Sequence, residues 1–225
     1  HALQQVCAHG LEGFRTIIRC NARVSACFEA DLRALRAVRF AALMLPKVAS
    51  ADDVAAVHAT LGRVVPVIPL IETAAGLARL TGILAAPGVC MAAFGSVDYA
   101  LDLGCAHDWE PLLAARSELV LRSRLAGLAA PLDGVTTTVD DPATVERDAR
   151  RAADAGFGGK LAVHPRQIAP IHRAFRPDEA AVTWARRVVA TAATGGARSL
   201  DGEMIDRPVV ARARRILARA SASGT

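Results

Sequence analysis

Residues 64–71 read VVPVIPLI, and the run passes directly into Glu72-Thr73 at the head of a helix-like stretch. Eight aliphatic and proline residues are too few for a helix and leave no polar face. They describe a strand buried on both sides, as in a parallel sheet covered by helices. Working outward, comparable runs occur at 15–21, 41–45, 89–95, 128–132 and 160–164. Amphipathic helical patterns lie between and after them at 26–38, 50–62, 73–85, 109–127, 141–155 and 166–174. Ser50 ahead of Asp52 and Asp53, Asp108 ahead of the long run, and Asp141-Pro142 as N-cap and first helical residue mark helix starts. Gly127 and Gly156 mark ends.

Strands alternating with helices imply a parallel sheet with right-handed crossovers. An open doubly wound sheet usually carries GxGxxG or a P-loop after its first strand, and neither is present. Gly156-Phe157-Gly158-Gly159-Lys160 only resembles a P-loop: its spacing is short, Leu161 stands where Ser or Thr belongs, and it leads into a strand. The ends of successive strands carry Arg19 and Asn21, Lys47, Glu72, Asp98, Asp133 and His164. That is the rim where barrel enzymes place their chemistry. The expected fold is therefore α/β, a (β/α)8 TIM barrel over residues 1–176, with its first two strands absent from the chain. The sequence opens at His1 rather than Met, directly in a helix-like segment, which fits a missing upstream part. Residues 177–225 form a C-terminal helical extension, with helices expected at 178–192 and 207–219. The Gly-rich, acidic link TGGARSLDGEMIDRP (194–208) between them reads as a lid, a subunit-exchange arm or plain solvated linker.

The formal charge is +5 and the pI about 9.3, yet Lys47 and Lys160 are the only lysines. The arginines are scattered along helices without interleaved aromatics, so a nucleic-acid partner is not expected. A basic patch for a polyanion such as coenzyme A is compatible with the charge. Cys7, Cys20, Cys27, Cys90 and Cys105 are odd in number and form no CxxC, which argues against a disulfide framework or a zinc ribbon. No stretch is long and apolar enough to span a bilayer and no secretory signal is visible, so a cytoplasmic protein without membrane partners is expected.

Glu72 and Asp98 each sit just past a strand, and their strands are sequential, so they fall about 4.8 Å apart in strand spacing at one end of the sheet. Two such carboxylates can hold one hard cation such as Mg2+, with water and substrate oxygens completing its shell. Helix or turn capping is the competing reading. In Phe94-Gly95-Ser96-Val97, Gly95 permits close approach of a ligand, and the amides that follow can hold a carboxylate. Arg19, ending TIIR, either polarises a keto or thioester oxygen or pairs with a rim carboxylate. His164 is either an acid–base group or a helix-entry histidine bonded to backbone. The remaining histidines have no ligand spacing, and no HExxH or GxSxG occurs.

IIRCNAR (17–23), LMLPKV (43–48), PLIETAAG (69–76), AAFGSVDYALDLG (92–104), GFGGKLAVHPRQI (156–168) and SLDGEMIDRPVVARARRIL (199–217) occur in that order. Together they resemble the citrate lyase beta-subunit branch of the HpcH/HpaI aldolase superfamily, from about Arg15 to Arg219. The resemblance implies a homotrimeric, Mg2+-dependent barrel that makes or breaks C–C bonds of acyl-CoA thioesters. It implies Glu72 and Asp98 as Mg2+ ligands and Arg19 as a substrate contact. Asp206, in the DGxMID pattern, would reach a neighbouring protomer's site. The expected reaction is cleavage of a hydroxyacyl-CoA such as citryl-CoA or malyl-CoA to a 2-oxo acid and acetyl-CoA. An aldolase of free hydroxy-oxo acids, a malyl-CoA thioesterase, and a non-catalytic barrel subunit are the alternatives. The family's usual first strand with its Pro-Gly turn, and its second with an acidic DLED, are not found here.

Overall fold

The computed structural model describes residues 15–193, 199–200 and 202–222. The helix-like opening of the sequence and part of the 194–208 link lie outside these residues. The elements run β1 (Ile17–Arg19), α1 (Phe28–Ala34), β2 (Ala42–Leu45), α2 (Ala51–Leu61), β3 (Val67–Ile71), α3 (Ala74–Ala78) and α4 (Leu80–Leu84). They continue with β4 (Ala93–Phe94), α5 (Ser96–Leu103), α6 (Leu113–Leu125), β5 (Leu132–Asp133), α7 (Pro142–Ala155) and β6 (Gly159–Lys160). A 3-10 turn (Pro165–Gln167), α8 (Ile168–Phe175), α9 (Glu179–Ala193), β7 (Ser199–Leu200), β8 (Glu203–Met204) and α10 (Arg207–Ala222) complete the order.

Strands β1 to β6 form one parallel sheet in sequential order, each beside the next. The order never reverses, as it must in a doubly wound sheet, so the helices follow one side of a curving wall. Among the described residues no pairing joins β1 to β6. The expected eight-stranded barrel is thus present as a parallel half-barrel of six strands.

Strand alternation separates two apolar layers. Ala42, Met44, Ile68, Leu70 and Ala93 pack together on the inner face, with Met91, Leu132 and Leu161 against them. Ile18, Leu43, Leu45, Val67, Ile71 and Phe94 point the other way, into the larger core under the helices with Leu32, Leu35, Val54, Val57, Ile83 and Leu119. Each such buried Leu or Ile contributes on the order of 1.5–3 kcal/mol. β3 is buried along its whole length, as its unbroken apolar run requires. The C-terminal helices α9 and α10 pack on each other through Ala185, Val188 and Ala213, with Ile205 just ahead of α10 in the same cluster.

Several boundaries differ from the sequence reading. The 73–85 pattern divides at Arg79 into α3 and α4. The 89–95 run pairs as a strand only at Ala93–Phe94, with a single bridge from Val89 to Val67. Phe94-Gly95-Ser96, read as a turn, leads straight into the helix α5, which begins at Ser96 and includes Asp98 in its first turn. Asp108 caps nothing, because Pro111 disfavours helical backbone at Glu110 and α6 starts only at Leu113. The strand expected at 160–164 is the pair Gly159–Lys160. Within the 194–208 link, β7 and β8 form an antiparallel pair rather than an irregular loop. The caps at Asp141, which accepts from the Thr144 amide at 3.0 Å, and at left-handed Gly156 are as expected. No helix among the described residues is long and apolar enough to cross a membrane.

Candidate metal and substrate site

β3 ends on Ile71, whose side chain points to the helices, so the next residue, Glu72, turns to the inner face. It is 4% exposed. By the same alternation Arg19, after the helix-facing Ile18, lies on the inner face of β1 and is exposed. Asp98 comes from the first turn of α5, which follows β4 directly. Thr73 caps α3 by accepting from the Gly76 amide at 3.0 Å, so Glu72 is not the residue that caps this helix.

One residue touches both carboxylates. The Lys47 backbone amide donates to Glu72 Oε1 at 2.8 Å, and the Lys47 ammonium donates to Asp98 Oδ1 at 2.8 Å. Lys47 has φ 53°, the one positive value at a non-glycine among the described residues. Such backbone is costly and concentrates at functional positions. Burial, then the charge of Asp98, holds the Glu72 carboxyl above the ordinary carboxylate range, and the Lys47 amide opposes this. The hydrogen bond to Asp98 raises the Lys47 ammonium.

Gly95 is required by contact. A Cβ there would meet the Glu72 side chain, 2.5 Å from Oε2. Ser96 is buried, and its Oγ lies 2.9 Å from His107 Nε2. Burial, helped by Arg116 and Lys160, pushes the His107 imidazole below its usual value. Val97, the next helical residue, is partly exposed.

The expected rim residues divide in two. Glu72, Asp98 and Lys47 are joined. Asp133 follows the inward Leu132 and therefore faces the helices, fully buried, where it accepts from Arg116 Nε at 2.8 Å and Lys160 Nζ at 3.0 Å. The Arg116 guanidinium lies over the Trp109 ring at 4.4 Å. Asp133 is thus structural rather than part of the mouth. His164 takes the helix-entry reading: its Nδ1 accepts from the Arg166 amide at 3.2 Å. Asp206 caps α10, accepting from the Val209 amide at 3.0 Å, and shares a cavity with Ala192, Arg207 and Arg214 rather than with the carboxylate pair. Lys47 and His107 carried no assigned role in the sequence. The scarcity of lysine was the available signal for Lys47; no sequence signal pairs His107 with Ser96.

Among the described residues no cluster of three or more His, Cys, Asp or Glu is placed to hold a metal. The donor set is two carboxylates. A hard cation that keeps several waters, as Mg2+ does, fits such a set. The Lys47 ammonium already shows that Asp98 accepts a cation here.

A sequence model of the HpcH/HpaI aldolase/citrate lyase family matches residues 1–165. The chain belongs to this family. A citrate lyase subunit beta-like protein of Deinococcus radiodurans is 38% identical over 210 residues, 89% of this chain and 73% of that one. A (3S)-malyl-CoA thioesterase of Cereibacter sphaeroides is 30% identical, covering 92% of this chain and 74% of its own length. Among solved structures, CitE of Mycobacterium tuberculosis in complex with magnesium, acetoacetate and coenzyme A superposes with a TM-score of 0.87 at 32% identity. It covers 98% of this chain and 83% of that one. Membership makes the chain an enzyme of the lyase type expected from its motifs, similar to citrate lyase beta subunits.

Proposed function

We propose that the protein is a Mg2+-dependent carbon–carbon lyase that cleaves, or forms, a hydroxyacyl-CoA thioester such as citryl-CoA or malyl-CoA, giving a 2-oxo acid and acetyl-CoA. The carrying observation is the convergence of Glu72 and Asp98, from successive strand ends, on the single residue Lys47. Structural relatives bound to magnesium with acetoacetate and coenzyme A, or with pyruvate, support the ligand classes.

Glu72 and Asp98 would hold the Mg2+, which when bound supplies Lewis-acid stabilisation of charge on the oxo-acid fragment. Gly95 leaves room for Glu72, and the amides of Ser96 and Val97 at the start of α5 would orient the substrate carboxylate. Arg19 would bind the thioester oxygen, where negative charge grows as the acyl-CoA fragment departs as an enolate. Asp206 of a neighbouring protomer would move the proton at the α-carbon of that fragment, in a homotrimer built on a closed eight-stranded barrel.

Glu72→Ala and Asp98→Ala should each abolish Mg2+-dependent cleavage of citryl-CoA or malyl-CoA. Wild-type turnover in either variant defeats the assignment. The same assay separates the related activities. Cleavage of a free hydroxy-oxo acid without coenzyme A indicates an aldolase. Release of coenzyme A without an oxo acid indicates a thioesterase like the relative from Cereibacter.

A further inference from the structure

Lys47 does two different jobs with two different parts of itself. Its main-chain amide is fixed on Glu72, and its side chain reaches Asp98. The backbone is pinned on both sides. Pro46 precedes it, and the carbonyl of Val48 after it is approached so closely by α3 that a Cβ on Gly76 would lie 2.5 Å from that oxygen. Between these neighbours Lys47 holds a left-handed φ of 53°, with its amide on Glu72. The ammonium is held far less firmly. Both partners of the Lys47–Asp98 pair are about half exposed, at 47% and 48%. Pairs in such surroundings are weak and readily displaced.

From this we infer that Lys47 is a placeholder cation: its ammonium holds Asp98 in the metal-free protein and gives way to Mg2+, while its amide keeps Glu72 in place in both states. The inference rests on the reading of Glu72 and Asp98 as metal ligands. An ammonium and a divalent cation repel one another and compete for the same carboxylate, so the resident lysine weakens metal binding. Without the placeholder, the mutual repulsion of the two carboxylates would be opposed only by the Lys47 amide and by Arg19, the larger part of the cost falling on buried Glu72. Once displaced, the ammonium remains tethered at the mouth, within reach of an anionic substrate. Lys47 is a positioning residue in this account.

Isothermal titration of Mg2+ into chelator-stripped protein tests it. Lys47→Met removes the competing charge and keeps the amide, and it should bind Mg2+ about three- to tenfold more tightly than wild type. Lys47→Gly, which suits the left-handed backbone and also keeps the amide, is read in the same way should Lys47→Met not fold. A lysine that merely supports the loop would leave the affinity unchanged or weaken it, and either result overturns the placeholder role. If wild type and variants all bind no Mg2+, the metal reading itself fails and this inference with it. If all bind equally, only the placeholder fails.

Discussion

At the scale of single residues, charge is concentrated where few side chains carry it. The only two lysines each serve a carboxylate, Lys47 with Asp98 and Lys160 with Asp133. One pair is open to solvent at the mouth and the other is sealed behind the sheet. His107 belongs to neither, yet it feels the positive field of Arg116 and Lys160 in addition to its burial. Its imidazole therefore resists protonation in the folded state, whereas in the unfolded chain it protonates near 6.5. Below that value the unfolded state takes up a proton that the folded state refuses. The His107 contribution to stability is thus present above pH 6.5 and is lost as the pH falls through the lower folded value. Thermal unfolding of His107→Gln between pH 7 and pH 5 should show a shallower fall in Tm than wild type; an equally steep fall would remove His107 from the account. The motif positions Glu72 and Asp98 were legible as chemistry from residue type and strand-end placement. Lys47 was legible as a third strand-end residue, but its hold on both carboxylates was not, because that rests on contacts between residues 25 and 51 positions apart in the chain.

At the scale of elements, the site depends on how abruptly strands become helices. β4 has two residues and α5 begins two positions after its end, with Gly95 between them. This junction brings Asp98 to the mouth and lets the backbone lie against Glu72. Gly95→Ala would drive a methyl into the Glu72 side chain, so either the carboxylate or the start of α5 must shift. The expected cost is about 1–3 kcal/mol of stability, with Mg2+ binding lost or strongly weakened. Denaturant unfolding and a metal titration check both parts, and an alanine variant with unaltered stability and Mg2+ affinity would contradict the contact. The sequence suggested the backbone amides here but not the helix. FGSVD has turn-like composition, and α5 is recognisable only once Tyr99 and Ala100 are seen buried under it. Similarly, the helix expected over 109–127 starts only at Leu113, beyond Pro111, which disfavours helical backbone at the residue before it.

At the scale of the whole molecule, Asp206 lines a cavity with Ala192, Arg207 and Arg214 rather than with the carboxylate pair, and in the proposed reaction it would act in a neighbouring protomer's site. Glu72→Ala and Asp206→Ala should each be inactive alone. Mixed assemblies should recover activity, toward roughly a quarter of the sites for random 1:1 mixing. No recovery in verified mixed oligomers would refute a neighbour-supplied Asp206. The run VVPVIPLI, the strand–helix alternation and the strand-end acids were enough to determine a parallel sheet and the edge at which Glu72 and Asp98 come together. These follow from local burial and period, which each segment carries in its own side chains. Only the tertiary structure decided that Asp133 turns away from the mouth to Arg116 and Lys160, that Ser96 meets His107, and that Lys47 binds both candidate ligands. The first depends on which face of the two-residue strand β5 is inward, and a shift of one residue reverses it; the other two depend on how a helix start and loops pack beside the sheet. That register is set by packing across the sheet rather than by any single segment.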